Sequence, residues 1–505
     1  MRQNKYLNNI CILLLVHLFL TGCSVSRYNA YIISPLPTDK LKKDVDEAQK
    51  ILLKYQPGLD WYITVDSLNA KFDMLRNDIT APMTSKEFFD KLSPVIYSVR
   101  QGHNRLRPAL PKYTSQQTAT NKNVKNPISQ FEYMIDDNRL FIIKNQSADS
   151  AIQTGTEVIA INGEPAQAIL QKCYSLFTSD GYNTTFFPRY TAINFQKMYQ
   201  TIYPEIKDSI CLSLQKDKNI REAYIKQLKL SGKTNTKQKE AKARTLTFLT
   251  ADSTMAILKI SKFSSGNYEE FYKNSFALLS SAKTNTLVID LRNNLGGQLS
   301  EISYLYSFLT DSTFIFTDKA EITSPFNCAF HSKSLSSILA GKSTLSKIFS
   351  TFGYPFFYTT SSITDLLSVS KKQNGKYYYS HSSSKRKQPN KNRFTGKIYV
   401  LANGGSFSAS CILLSNLQGS ERALVVGEET GGAYNGSVAG RMLTKTLPAS
   451  KLKLTVGLQA IQPHYKSDIE GRGIFPDKEI VPTIENQIKQ QDPELEWIIS
   501  QISSY

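Results

Sequence analysis

The stretch from Lys397 to Gly432 constrains this chain more than any other. It reads as a strand "KIYVLA", a glycine–serine turn "NGGSFSAS", a helix "CILLSNLQG", and a second strand ending in "GEETGG". Strand, helix and strand in direct succession imply two parallel strands joined by a crossover helix. The same rhythm appears upstream: strand "TMAILKISKF", a helix from Tyr268, strand "TLVIDL", the turn "DLRNNLGGQ", and a helix through Leu299, Ile302, Tyr306 and Leu309. The expected fold class is therefore α/β over 246–505, with an irregular Ser-, Thr-, Phe- and Tyr-rich insertion at 311–395. Ser406, Ser408 and Ser410 alternate through the middle turn, where a strand hands over to a helix. Such a place suits a nucleophile, and the question is which serine acts and what takes its proton.

Upstream the patterning differs. Val45, Ala48, Leu52 and Tyr55 share one helical face, followed by Leu68, Phe72 and Leu75 on another. A third helix opens with Thr84-x-x-Glu87, a capping-box pair, and Pro94 is expected to kink or split it. Residues 38–125 thus read as a small helical domain, with His103 just past the third helix in "QGHNRL". From Phe131 short strands take over, and Asn162-Gly163 marks a tight hairpin turn. The segment "SAIQTGTEVIAINGEPAQAI" resembles the second half of a PDZ domain, so 126–230 is expected to be PDZ-like and to hold substrate. A basic linker at 231–245 follows. Near the C-terminus Leu452, Leu454, Val456 and Leu458 alternate on one strand face.

The formal net charge is +19, but the two densest basic runs, Lys233 to Arg244 and Ser384 to Arg393, carry no interleaved aromatics. They read as solvated linkers, which argues against nucleic acid as a partner. The first 22 residues hold Arg2, Lys5 and an apolar run from Ile10 to Leu20, too short for a permanent span and fitting a secretory signal. "LTGC" resembles the bacterial lipobox, which implies lipidation of Cys23, a tether at 23–37, and a place in the bacterial cell envelope, on its periplasmic or surface face. Removing 1–22 takes away Arg2 and Lys5 and no acid, leaving +17. Cys173, Cys211, Cys328 and Cys411 are far apart without a C-x-x-C pair, so they read as buried thiols rather than a zinc site.

Taken in order, "DLRNNLGG", "SFSAS", "GEETGG" and "EGRGIFPD" resemble the catalytic core of the C-terminal processing peptidases, tricorn-core proteases and their homologues. The resemblance implies a crotonase/Clp-protease-like core and a serine-type peptidase acting on peptides or unfolded protein, with no metal and no cofactor. It places the nucleophile at Ser408, where the N–H groups opening the next helix would face the reacting atoms. Many of these enzymes use a lysine base twenty-five residues past the serine. Here that position is Ala433, and no lysine lies between Ser408 and Lys445. The tricorn-like branch instead uses an upstream histidine and a late glutamate, which His103 and Glu470 match by context. His464 is the rival base; His17 falls in the leader, and His331 and His381 in the insertion. The implied oxyanion hole combines the Ala409 N–H with one from Gly296 or Gly297. Glu470 is expected to orient His103 and raise its pKa. The alternative is a non-catalytic lipoprotein that binds a peptide or apolar ligand on the same fold.

Overall fold

The computed structural model describes residues 25–122, 124–205, 207–229, 243–264, 266–325, 367–371 and 375–503. The leader with His17, Cys23, most of the basic linker, and the part of the insertion holding Cys328 and His331 lie outside the described residues.

The molecule is organised around three packed regions. The first begins with a helical segment at 25–33, then α1 (Thr38–Tyr55), α2 (Val65–Asp78) and α3 (Ser85–Tyr97). The capping box opens α3: the Glu87 N–H donates to Thr84 Oγ1, and the Thr84 N–H donates to Glu87 Oε2 at 2.7 Å. Pro94 lies inside α3 without splitting it, because the helix ends only three residues later. A proline near the end of a helix forfeits few hydrogen bonds. After α3 the chain turns through His103 into β1 (Arg105–Arg107).

The second region is an antiparallel sheet in the order β2 (Phe131–Asp136), β3 (Arg139–Asn145), β4 (Thr156–Ile161), β5 (Ser209–Lys216) and β6 (Asn219–Lys226). Asn162 and Gly163 follow β4 with φ of 52° and 81°, the pair of positive angles a two-residue hairpin turn requires. Helices α4 (Ala166–Tyr174) and α5 (Phe186–Ile202) pack against this sheet.

The third region is the core. Its sheet runs β7 (Arg244–Phe248), β8 (Met255–Ile260), β9 (Thr286–Asp290), β10 (Lys397–Ala402), β11 (Leu424–Gly427) and a short β14 (Lys478–Glu479). All neighbours after the antiparallel β7–β8 pair are parallel. Alternation along the strands feeds two layers. Leu287, Ile289, Ile398 and Val400 face α6 (Tyr268–Ser281), α7 (Leu299–Ser307) and α8 (Ala409–Gly419), whereas Val288, Tyr399 and Leu401 face Ile498 of α9 (Pro493–Ser503). Parallel strands are normally covered on both faces, and these are.

A long hairpin, β12 (Ser437–Thr446) with β13 (Lys453–Ile461), joins the first region to the third. Leu454, Val456 and Leu458 are fully buried against α1 to α3, and β1 adds to the hairpin through β13. The hairpin thereby carries His103 toward the end of β10.

Candidate active site

At the end of β10 the turn Asn403–Phe407 is tied down by its own side chains. The Asn403 amide oxygen accepts from the N–H groups of Asn293 and Gly405, at 3.0 and 2.9 Å. Ser406 Oγ donates to the Leu291 carbonyl and Ser410 Oγ to the Asn294 carbonyl, both at 2.8 Å. Both serines are fully buried and bind the middle glycine turn to the first one. Ser408 is the one left over. It stands at φ 58° and ψ −117°, immediately before α8. A non-glycine residue in such a conformation is strained and is characteristic of functional sites.

Ser408 Oγ lies 3.1 Å from His103 Nε2. The imidazole packs on Phe407, with centroids 5.0 Å apart, and Phe407 stacks in turn on Phe186 at 4.5 Å. On the other side His103 Nδ1 lies 2.9 Å from Ser437 Oγ, the first residue of β12. Ser437 Oγ donates to Asp180 Oδ1 at 3.4 Å, and the Gly102 N–H donates to that same oxygen at 2.7 Å. These contacts form one directional chain when Nδ1 carries the proton: Ser408 donates to His103, His103 to Ser437, and Ser437 to Asp180. Asp180, from the connection between α4 and α5, is fully buried, and its Oδ2 has no hydrogen-bond partner among the described residues.

Environment sets the charge states. Burial, and secondarily the Arg105 guanidinium, pushes the His103 imidazole down to about 3. It is therefore held neutral, contrary to the raised value expected from a paired glutamate. Burial pushes the Asp180 carboxyl up to about 6, against the opposing pull of the Gly102 N–H, Ser437, the Ala433 N–H and Arg105.

The remaining candidates separate cleanly. Glu470 is exposed and accepts from Asn435 Nδ2 at 3.1 Å; it makes no hydrogen bond with His103. Its carboxylate secures the loop before Ser437, and the Nδ1 partner expected of it is Ser437 instead. Glu470 and Asp180 both act on the Tyr62 phenol, which burial first and these carboxylates second push upward. His464 faces Asp318 at 3.7 Å, away from the serine. Ala433 is buried, in a bridge with Gly473. Lys445 sits eight residues along β12 from Ser437, roughly 26 Å at strand rise.

Among the oxyanion candidates, the Gly296 N–H donates to Asn294 Oδ1 at 2.9 Å, so it is already committed. The N–H groups of Ala409 and Gly297 donate to no acceptor among the described residues. Gly296 matters for a different reason. At φ 97°, a Cβ on it would stand 2.8 Å from Ala409 N and 2.9 Å from Ser408 Cβ. Only glycine lets the first turn come so close to the serine.

The other motif residues fasten the turns together. Glu428 accepts from the Gly404 N–H at 2.9 Å and from Arg189 Nε at 3.0 Å. Glu429 holds Arg472 and the Gly473 N–H, and Arg292 holds Asp290, Asp492 and Glu494. Cys173 and Cys411 are buried free thiols, while Cys211 is partly exposed. Sequence reading missed Asp180 and Ser437: "TSDGYN" and "YNGS" look like ordinary turns. Their only signal is spatial.

A nucleophile-bearing turn at the end of a central parallel strand, with an imidazole against the hydroxyl, defines the serine hydrolase class. Residues 254–480 match the model of peptidase family S41. The match over this segment supports a serine-type peptidase. No protein of curated function matches the sequence. Among solved structures, mature CPAF complexed with lactacystin aligns with a TM-score of 0.63 at 14% identity, over 92% of this chain and 98% of that one. Mature CPAF alone aligns at 0.60 and 14% identity, over 91% and 95%. At this identity the likeness is one of α/β fold, and it spans nearly the whole of both chains.

Proposed function

We propose that the chain is an envelope-anchored serine endopeptidase that hydrolyses peptide bonds in peptides or unfolded protein through an acyl-enzyme on Ser408. The observation that carries this reading is the 3.1 Å approach of His103 Nε2 to Ser408 Oγ, with Nδ1 engaged by Ser437. In the first step the Ser408 proton passes to Nε2 while Oγ attacks the scissile carbonyl carbon. The oxyanion so formed takes the N–H groups of Ala409 and Gly297, at the opening of α8 and beside α7. The imidazolium then gives its proton to the leaving amine as the C–N bond breaks. His103 next deprotonates a water that attacks the ester carbon, and collapse releases the acid and restores the serine hydroxyl. Burial opposes a charged imidazole, so the ionised Asp180 carboxyl, acting through the Ser437 hydroxyl, is what stabilises the cation as it forms. Ser437 and Asp180 are positioning residues in this scheme.

A fluorophosphonate probe tests it. The wild type should be labelled, Ser408→Ala should not, and His103→Ala should be labelled far more slowly. Undiminished labelling of Ser408→Ala would refute the assignment, and an unlabelled wild type would leave the binding-protein alternative in its place.

A further inference from the structure

One cavity away from Ser408 has a lining that folding alone does not explain. It measures about 450 Å³ and is bordered by Arg105, Arg107, Lys112, Lys197, Lys451 and Lys453, with no acidic residue on its wall. None of the six makes an ion pair with a carboxylate among the described residues. Their partners are neutral: Arg105 donates to the Gly102 carbonyl at 2.7 Å and Lys451 to the Pro448 carbonyl at 2.6 Å, and Lys112, Arg105 and Lys451 lie over Tyr28, Tyr190 and Tyr31 at 4.0, 5.3 and 5.4 Å. Arg107 and Lys453 are direct cross-strand partners on β1 and β13. Like charges placed opposite each other on a ladder destabilise it. A concave site that concentrates one sign of charge raises the local concentration of counter-ions.

The position of this cavity is as informative as its charge. Tyr28 belongs to the helical segment at 25–33 and lines the cavity directly. Asn29 of the same segment is joined to the Lys112 backbone by two hydrogen bonds, at 2.9 and 2.8 Å. That helical segment is already under way at Val25. Cys23 precedes it in the sequence by two residues. Leu110, 41% exposed, adds an apolar lip to the opening.

We propose that this cavity binds the phosphodiester headgroup of an anionic lipid, so that the basic face around Lys453 lies against the membrane to which Cys23 is anchored. The inference rests on the anchored reading of the chain. A phosphodiester supplies the missing negative charge between Arg107 and Lys453, and the aromatic and Leu110 walls accommodate the apolar part of the lipid. Polybasic clusters beside a membrane anchor gain affinity with each cation they present to anionic lipid.

The test uses protein beginning at residue 24, which keeps every described residue and lacks Cys23. It is mixed with vesicles of phosphatidylcholine alone or of phosphatidylcholine with phosphatidylglycerol, and sedimentation reads the bound fraction. Binding should require phosphatidylglycerol and weaken with salt. Lys453→Glu should weaken it roughly tenfold, and this change creates a cross-strand pair with Arg107 rather than breaking one. Lys218→Glu, an equal change of charge on an exposed lysine of the PDZ-like sheet, should leave binding nearly intact. Equal losses in the two variants would overturn the site in favour of diffuse attraction by a basic protein. Soluble glycerol phosphate that binds while vesicles do not would overturn the membrane assignment. Should Lys453→Glu fail to fold, Lys112→Glu decides in its place. Because the protein has no Cys23, this test and the test of lipidation fail separately.

Discussion

A hydroxyl between an imidazole and a carboxyl transmits polarisation without bearing charge, and Ser437 occupies that place. The consequences at single residues are specific. Ser408→Ala and His103→Ala should each lower kcat by about four powers of ten or more, and the double variant should be little worse, because the pair acts as a unit. Lys445→Ala should be silent in the same assay. The pH profile separates the roles further. His103 stays neutral down to about 3, so it does not set the acid limit of activity. Asp180 is a neutral acid below about 6 and a carboxylate above it, so kcat/KM should rise through about pH 6 and hold beyond. In Asp180→Asn that limb should vanish while the plateau falls; an unchanged limb would return it to His103. Stability should move the other way. The folded pKa of Asp180 lies above its ordinary 3.8, so its contribution is fully present below that value and is lost as pH rises through about 6. Above pH 6, Asp180→Asn should therefore leave Tm unchanged or higher while lowering turnover. Glu470→Gln, whose side-chain hydrogen bond among the described residues is with Asn435, should shift neither limb nor plateau.

At the scale of elements, the glycine turns were legible because their signals are local: an apolar strand, a Gly pair, then a helical period. Ser408 and His103 could be picked out by context, and they lie within hydrogen-bond reach. Asp180 and Ser437 could not, because their roles arise from contacts across hundreds of residues: Ser437 is 334 positions from His103 and 257 from Asp180. Glu470 was misassigned for a related reason. Position before "GRGIFPD" fixes where its backbone runs but not which loop its side chain reaches. The connection between α4 and α5 changes the meaning of the region expected to be PDZ-like too, since it delivers Asp180 and Phe186 to the site. Deleting 131–215 should therefore abolish cleavage of a short reporter peptide and of unfolded protein alike, as judged on a variant whose circular dichroism shows it folded. Loss confined to the protein substrate would restore the view of this region as a recognition module alone. Gly296→Ala tests the contact between the two turns. Its Cβ would meet Ala409 N at 2.8 Å, so kcat should drop by about a hundred- to a thousand-fold, as for losing an oxyanion donor, with KM little changed.

For the whole molecule, no described helix is long and apolar enough to cross a membrane, and the proposed attachment is through Cys23. Metabolic labelling with a fatty-acid analogue should mark the wild type and not Cys23→Ala; equal labelling of both would remove the anchor. The hairpin β12–β13 has a wider consequence. It supplies Ser437 to a histidine encoded near the start of the chain, and His103 and Ser408 are themselves 305 positions apart. During synthesis the imidazole and the buried carboxyl emerge early, yet neither has a serine to act on until the last quarter of the chain is made. The hairpin that aligns them comes later still. A nascent chain thus lacks the assembled site until folding brings its early and late segments together.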